Sequence, residues 1–89
     1  MEIASYTHRS FWKCYKKLPK EIQELADKKF ALFQSNPFHP SLAFAPKGNV
    51  WTVDVGFHYR AIAWREDENV VWFWIGTHED YNKLMNRLA

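Results

Sequence analysis

Residues 70 to 81 read VVWFWIGTHEDY, six apolar side chains running into a glycine, a threonine, a histidine and two acids. Nothing polar interrupts Val70 to Ile75. A strand with one wet face alternates, so this run reads as a central strand covered on both sides. Beyond it, Tyr81, Leu84, Met85 and Leu88 return to helical spacing and predict a short closing helix over EDYNKLMNRL, residues 79–88. His78 stands where the buried strand leaves its sheet. It either does chemistry there or only packs.

Working outward, YRAIAW (59–64) alternates Arg60, Ile62 and Trp64 against Tyr59, Ala61 and Ala63. VWTVDV (50–55) alternates Trp51, Val53 and Val55 against Thr52 and Asp54. Both read as strands, with GFH (56–58) and EDEN (66–69) as the hairpin turns around them. Residues 36–49, NPFHPSLAFAPKGN, hold three of the four prolines and break every periodicity, which predicts a long ordered loop. Before it, KEIQELADKKFALFQSN (20–36) sets Ile22, Leu25, Ala26, Leu32 and Phe33 on one face of a helix. Pro19 suits the first turn of that helix, and Glu21 and Glu24 sit well against its dipole. Phe11, Tyr15 and Leu18 mark an earlier amphipathic helix, with Thr7 as its expected cap. EIASY (2–6) alternates and predicts a first strand. The order is β-α-α-β-β-β-α: an α+β fold with a largely antiparallel sheet of three to four strands and an N-terminal helical hairpin packed on it.

Eighty-nine residues fit one domain, 1–89, with a modest share of surface to bury. Five Trp, seven Phe and four Tyr offset that, because aromatic side chains bring much apolar area each. Cys14 is the only cysteine, so no internal disulfide forms and a reducing, cytoplasmic setting is expected. No cleavable leader is expected, since His8, Arg9 and Lys13 interrupt the first apolar cluster. The longest apolar run is far short of a membrane span, so no membrane partner is expected. The four histidines lack paired ligand spacing, which argues against a zinc site.

Net charge is only +2, but residues 1–47 hold eight Lys/Arg against four Asp/Glu, and residues 48–89 hold four against six. The excess gathers in Arg9, Lys13, Lys16, Lys17 and Lys20. Such a stripe meets phosphates or an acidic protein, or is simply a solvated helix face. Lys29 falls on the apolar side of the second helix, either snorkelling or meeting a partner. Trp12, Trp51, Trp64, Trp72 and Trp74 offer base-stacking surface in principle, although a domain this small needs most of them as core.

The segments YKKLPKEIQELADKKFALFQSNPFHPSL, VWTVDVGFHYRAIAW and VVWFWIGTHEDYNKL, in this order and spacing, resemble the RelE/ParE superfamily. Its members are toxins of bacterial type II toxin–antitoxin systems. The most specific pieces are the YR opening the third strand and the G-T-H-x-D/E-Y ending the last one. The resemblance spans roughly Thr7 to Leu88 and implies a microbial-RNase-like fold. It further implies one of two activities. The RelE branch cuts messenger RNA, commonly on the ribosome, by turning the ribose 2′-hydroxyl on the neighbouring phosphate. The ParE branch poisons DNA gyrase and cuts nothing. In either case a cognate antitoxin is the implied protein partner.

Cleavage of that kind needs a base for the 2′-hydroxyl proton, an acid for the leaving 5′-oxygen and positive charge at the phosphate. It needs no metal or other cofactor, because the nucleophile belongs to the substrate. His78 matches the functional histidine of the histidine-using nucleases, and a free imidazole titrates near neutrality. Otherwise it caps the last helix or bonds a backbone carbonyl. Arg60 matches the family arginine and suits paired hydrogen bonds to the scissile phosphate, or else it pairs with Asp54. Tyr81 stacks on a base, donates to phosphate, or packs with Leu84 and Leu88. His58 is a second acid/base candidate. One departure matters: where the nucleases place cleft lysines, this chain has Thr52 and Asp54. Asp54 then serves as a base, or marks a site without nuclease activity.

The leading expectation is a RelE-like endoribonuclease that cleaves mRNA and inhibits translation. It would act through His78 and Arg60, with Asp54, His58 or Tyr81 assisting and the basic helix docked on ribosomal RNA. The alternatives are a ParE-like gyrase poison and a non-toxic homologue that only binds antitoxin.

Overall fold

A computed structural model describes residues 3–88, and of Leu88 only the backbone. Glu2, where the first strand begins by its alternation, and the side chain of Leu88, expected on the closing helix's apolar stripe, lie outside what is described. The chain runs β1 (Ala4–Thr7), α1 (Arg9–Tyr15), α2 (Lys20–Ser35), a 3-10 turn (Pro40–Leu42), β2 (Ala45–Lys47), β3 (Val50–Val55), β4 (Tyr59–Glu66), β5 (Asn69–Thr77) and α3 (His78–Leu88). Together these make one five-stranded sheet in the order β1-β5-β4-β3-β2.

The α+β architecture and the helical hairpin stand as expected, and the strand count is five rather than three or four. The extra strand, β2, pairs antiparallel with β3 through Ala45↔Thr52, Pro46↔Trp51 and Lys47↔Val50. Pro46 hid it. Proline cannot donate to a ladder and is tolerated only at a sheet edge, which is where β2 lies. The Gly48-Asn49 turn closes this hairpin, and Gly48 takes the left-handed backbone (φ 59°) that such turns require.

The β5 strand is internal, but the middle of the sheet is β4. Strand β1 pairs with β5 in parallel over Asn69–Trp72, and β4 pairs with it antiparallel along its length. The missing alternation has a second cause besides burial. Ile62 faces Trp74 and Ala63 faces Trp72, so Phe73 is one residue too many, a β-bulge. Past it Phe73 and Trp74 both turn to the α3 side, while Trp72 and Ile75 join the core under α1 and α2.

That core is aromatic. Phe11 meets Phe30 edge to face at 5.1 Å, Phe33 meets Trp72 at 5.2 Å, and Phe33 meets Phe44 at 4.9 Å. These are geometries that ring quadrupoles favour. Phe30, absent from the expected α2 stripe, packs on Trp72 at 5.4 Å. Lys29 reaches past the core edge, its Nζ 3.4 Å from Ser41 Oγ. The cap of α1 is His8 rather than Thr7: the His8 ring accepts from the Ser10 amide at 3.1 Å. Thr7 instead accepts from the Trp12 indole N–H at 3.0 Å. Among the described residues, no helix is long and apolar enough to cross a membrane.

Candidate functional site

Three strands and the start of α3 converge where β5 ends. Asp54 on β3 is opposite Arg60 on β4, and Arg60 is opposite Gly76 on β5. Alternation along β3 and β4 puts Asp54 and Arg60 on the face that α3 covers, together with Val50 and Ile62. At Gly76 a Cβ would lie 2.6 Å from the Trp74 ring, so only glycine admits that indole. The chain then turns into α3. Thr77 Oγ1 accepts from the Asp80 amide at 3.1 Å, so Thr77, not His78, caps the helix. The His78 amide donates to the His58 carbonyl at 2.7 Å, tying the β3–β4 turn to the helix start.

Four of the five acid/base and phosphate candidates form one cluster. Arg60 Nε is 3.1 Å from Asp54 Oδ1, and both side chains are partly exposed. The N–H is not aligned for a hydrogen bond, and Nε is buried without another partner. The Arg60 Cζ lies 5.0 Å from the centroid of the Tyr81 ring, a cation–π contact. The His78 ring lies 5.7 Å from the same ring and is exposed. Its Nδ1 is 3.4 Å from Asn82 Nδ2, a weak contact that leaves the imidazole accessible. Tyr81 itself is only 3 % exposed and packs with Val50 and Ile62, so it is core as well as platform. Its hydroxyl is buried without a partner. His58, the fifth candidate, reaches the cluster through its backbone carbonyl, and its ring is exposed.

Of the two readings of Arg60, the structure has the pair with Asp54, and the guanidinium remains partly exposed. Thr52 is buried at 3 %, and no lysine stands beside the pair on β3.

Arg9, Lys13, Lys16, Lys17 and Lys20 are all exposed on α1, the link after it and the first turn of α2. The tertiary structure adds what the sequence pattern missed. Lys17 lines a cleft of about 440 Å³ together with Lys83 and Arg87 of α3, with Asp80 the only acid on its walls. The one signal for these two was their i, i+4 spacing on the polar side of α3. Of the tryptophans, Trp72 is wholly buried while Trp12 and Trp64 are about half exposed. Trp64 stacks on Phe73 at 4.0 Å. Among the described residues no three His, Cys, Asp or Glu side chains gather to hold a metal.

Comparison with known proteins fits this geometry. A family model described as "ParE-like toxin domain" matches residues 20–83. The fold is similar to a chain of the RelB–RelE antitoxin–toxin complex from Methanococcus jannaschii, with a TM-score of 0.72 at 16 % identity over 89 % of this chain and 96 % of that one. It is also similar to YafQ from Escherichia coli strain BL21(DE3), at 0.71 and 15 % over 90 % and 98 %. A variant of the E. coli toxin RelE in the free state matches over the whole of both chains, at 0.64 and 17 %. No curated protein matches the chain.

Proposed function

The chain belongs to the ParE-like toxin domain family, and from that premise we propose that it is a RelE-like endoribonuclease that cleaves mRNA and halts translation. The observation that carries this reading is the convergence of an accessible His78 and a partly exposed Arg60 on one buried tyrosine, Tyr81. A 2′-hydroxyl attacks the adjacent phosphorus, forming the 2′-O–P bond as the P–O5′ bond breaks. His78 takes or supplies a proton at one of those oxygens, and the Arg60 guanidinium offsets the charge that builds on the phosphate. Asp54 and the Tyr81 ring hold the guanidinium plane in place from below. His58, on the bonded turn, stands ready for the second proton transfer.

The exposed basic residues of α1 would dock ribosomal RNA, a contact that weakens steeply with salt. An antitoxin is the expected protein partner, because the Methanococcus relative was crystallised in an antitoxin–toxin complex. Half-exposed Tyr6, Trp12, Phe38 and Trp64 offer apolar surface for it to cover.

One observation favours the gyrase-poison reading instead. Asp54 already sits against Arg60, and the strand facing it supplies no further cation. Induced expression of wild type beside His78→Ala and Arg60→Ala separates the two. New mRNA 5′ ends within minutes, lost in both variants, are the expected result. Growth arrest and an SOS response with intact mRNA would sink the nuclease reading. Harmless expression of folded protein would leave only antitoxin binding.

A further inference from the structure

The turn between β3 and β4, residues 56–58, carries Phe57 with 96 % of its surface exposed. No other large apolar side chain among the described residues is as open. Tight turns in water favour Gly, Asn, Asp and Ser, each for a backbone reason that phenylalanine does not share. Nor can the turn fold back to bury the ring, because it is clamped on two sides. Gly56 holds a left-handed backbone (φ 72°), with Leu25 Cδ2 of α2 only 2.9 Å from where a Cβ would sit. On the other side, the His58 carbonyl is bonded to the His78 amide at 2.7 Å.

The phenyl ring thus contributes nothing to the core and stands on a fixed mount. Along the chain it stands beside the groups of the candidate site. His58 follows it directly, Arg60 comes three positions after it, and the His78 amide is bonded to the turn. Two of the nearby acids face cations: Asp54 lies against Arg60 and Glu79 pairs with Lys83 at 3.7 Å. Asp80 stands on the wall of the cleft that Lys17 and Arg87 also line. A fixed aromatic face beside nitrogen-bearing side chains is the usual way proteins hold single-stranded RNA: bases stack while cations take the phosphates.

We infer that this turn is an RNA-base subsite, in which Phe57 stacks on the base next to the phosphate gripped by Arg60. The inference rests on the nuclease reading and names how its substrate is held. Because every base has a π-face, the subsite orders the strand without selecting a sequence.

The test compares wild type with Phe57→Leu and Phe57→Tyr. The binding probe is a short single-stranded RNA, 2′-O-methylated to block cleavage and carrying 2-aminopurine. Cleavage of unmodified mRNA is followed in parallel, both free and on ribosomes. Phe57→Leu keeps an apolar side chain but loses the π-face, and is expected to bind about 5- to 100-fold more weakly. Phe57→Tyr is expected to bind like wild type. Quenching of 2-aminopurine by stacking should appear with wild type and Phe57→Tyr and vanish with Phe57→Leu. Thermal melting checks that both variants fold, as an exposed position allows. If Phe57→Leu binds and cleaves like wild type, the subsite is overturned and the nuclease reading stands. If wild type neither binds the RNA nor cleaves mRNA in either setting, both fall. If Phe57→Leu loses only antitoxin, Phe57 is a protein contact and the inference is wrong.

Discussion

On the face of the sheet that α1 and α2 cover, Phe11, Phe33, Leu42 and Trp72 are each at most 1 % exposed. On the face that α3 covers, the buried side chains among the described residues are Val50, Thr52, Ile62 and Tyr81, and half-buried Phe73, Trp74, Leu84 and Met85 complete the packing. Among the described residues, both buried side-chain polar atoms without a hydrogen bond, Arg60 Nε and the Tyr81 hydroxyl, belong to this second face. An unsatisfied buried group costs about 1–3 kcal/mol. Of the two, Arg60 Nε still lies 3.1 Å from Asp54 Oδ1, while the Tyr81 hydroxyl has no partner. The difference teaches that one face is built almost wholly of apolar packing, while the other gives up part of that packing to carry polar groups.

The largest expected effect tests that division directly. Phe33→Ala should cost about 3–5 kcal/mol in urea unfolding, the value for truncating a buried aromatic. Leu84→Ala, half-buried under α3, should cost about 1–2 kcal/mol, because part of its surface is already in water. Equal losses would show that the faces contribute alike.

A smaller effect has the opposite sign. Tyr81→Phe removes a buried hydroxyl that has no partner and should stabilise the protein by about 1 kcal/mol, read by thermal melting. A lowered melting temperature would mean that the hydroxyl is satisfied in solution.

The smallest effect belongs to the helical hairpin. The Tyr15 hydroxyl donates to Asp27 Oδ1 at 2.8 Å. That hydrogen bond, then burial, then the charges of Asp27 and Glu24 raise its pKa above the ordinary 10.0. The folded state therefore favours the protonated phenol. The contribution is complete below pH 10 and disappears as pH rises through the raised value. The stability gap between wild type and Tyr15→Phe should be flat from neutrality to about pH 10 and close above it. A gap that persists unchanged in stronger base would show that the Tyr15 hydroxyl does not depend on its proton, and so on the bond to Asp27, for its contribution.

Much of the fold was legible because its signals are local. Alternation at 50–55 and 59–64 placed Asp54 and Arg60 on one face, and helical spacing placed Tyr81 on the buried side of α3. The site was legible to the same depth: His78 at the strand exit, Arg60 opposite Asp54, His58 in the turn. The cap of α1 was not legible for a physical reason: Thr7 and His8 both carry acceptors, and in the fold the Thr7 hydroxyl is taken by the Trp12 indole while the His8 ring takes the Ser10 amide.

By itself the sequence determined the α+β class, the order of its main elements and the residues able to do chemistry, since periodicity and side-chain type are properties of neighbours along the chain. Only the tertiary structure decided the pairing of β1 with β5, the edge strand at Pro46, the bulge at Phe73 and the meeting of Lys17 with Lys83 and Arg87. It also left Arg60 poised between Asp54 and Tyr81. The pairing of β1 with β5 and the meeting of Lys17 with α3 join residues far apart in sequence. The edge strand, the bulge and the Arg60 contacts, though closer along the chain, depend on which backbone groups and spaces the packed sheet leaves to be filled.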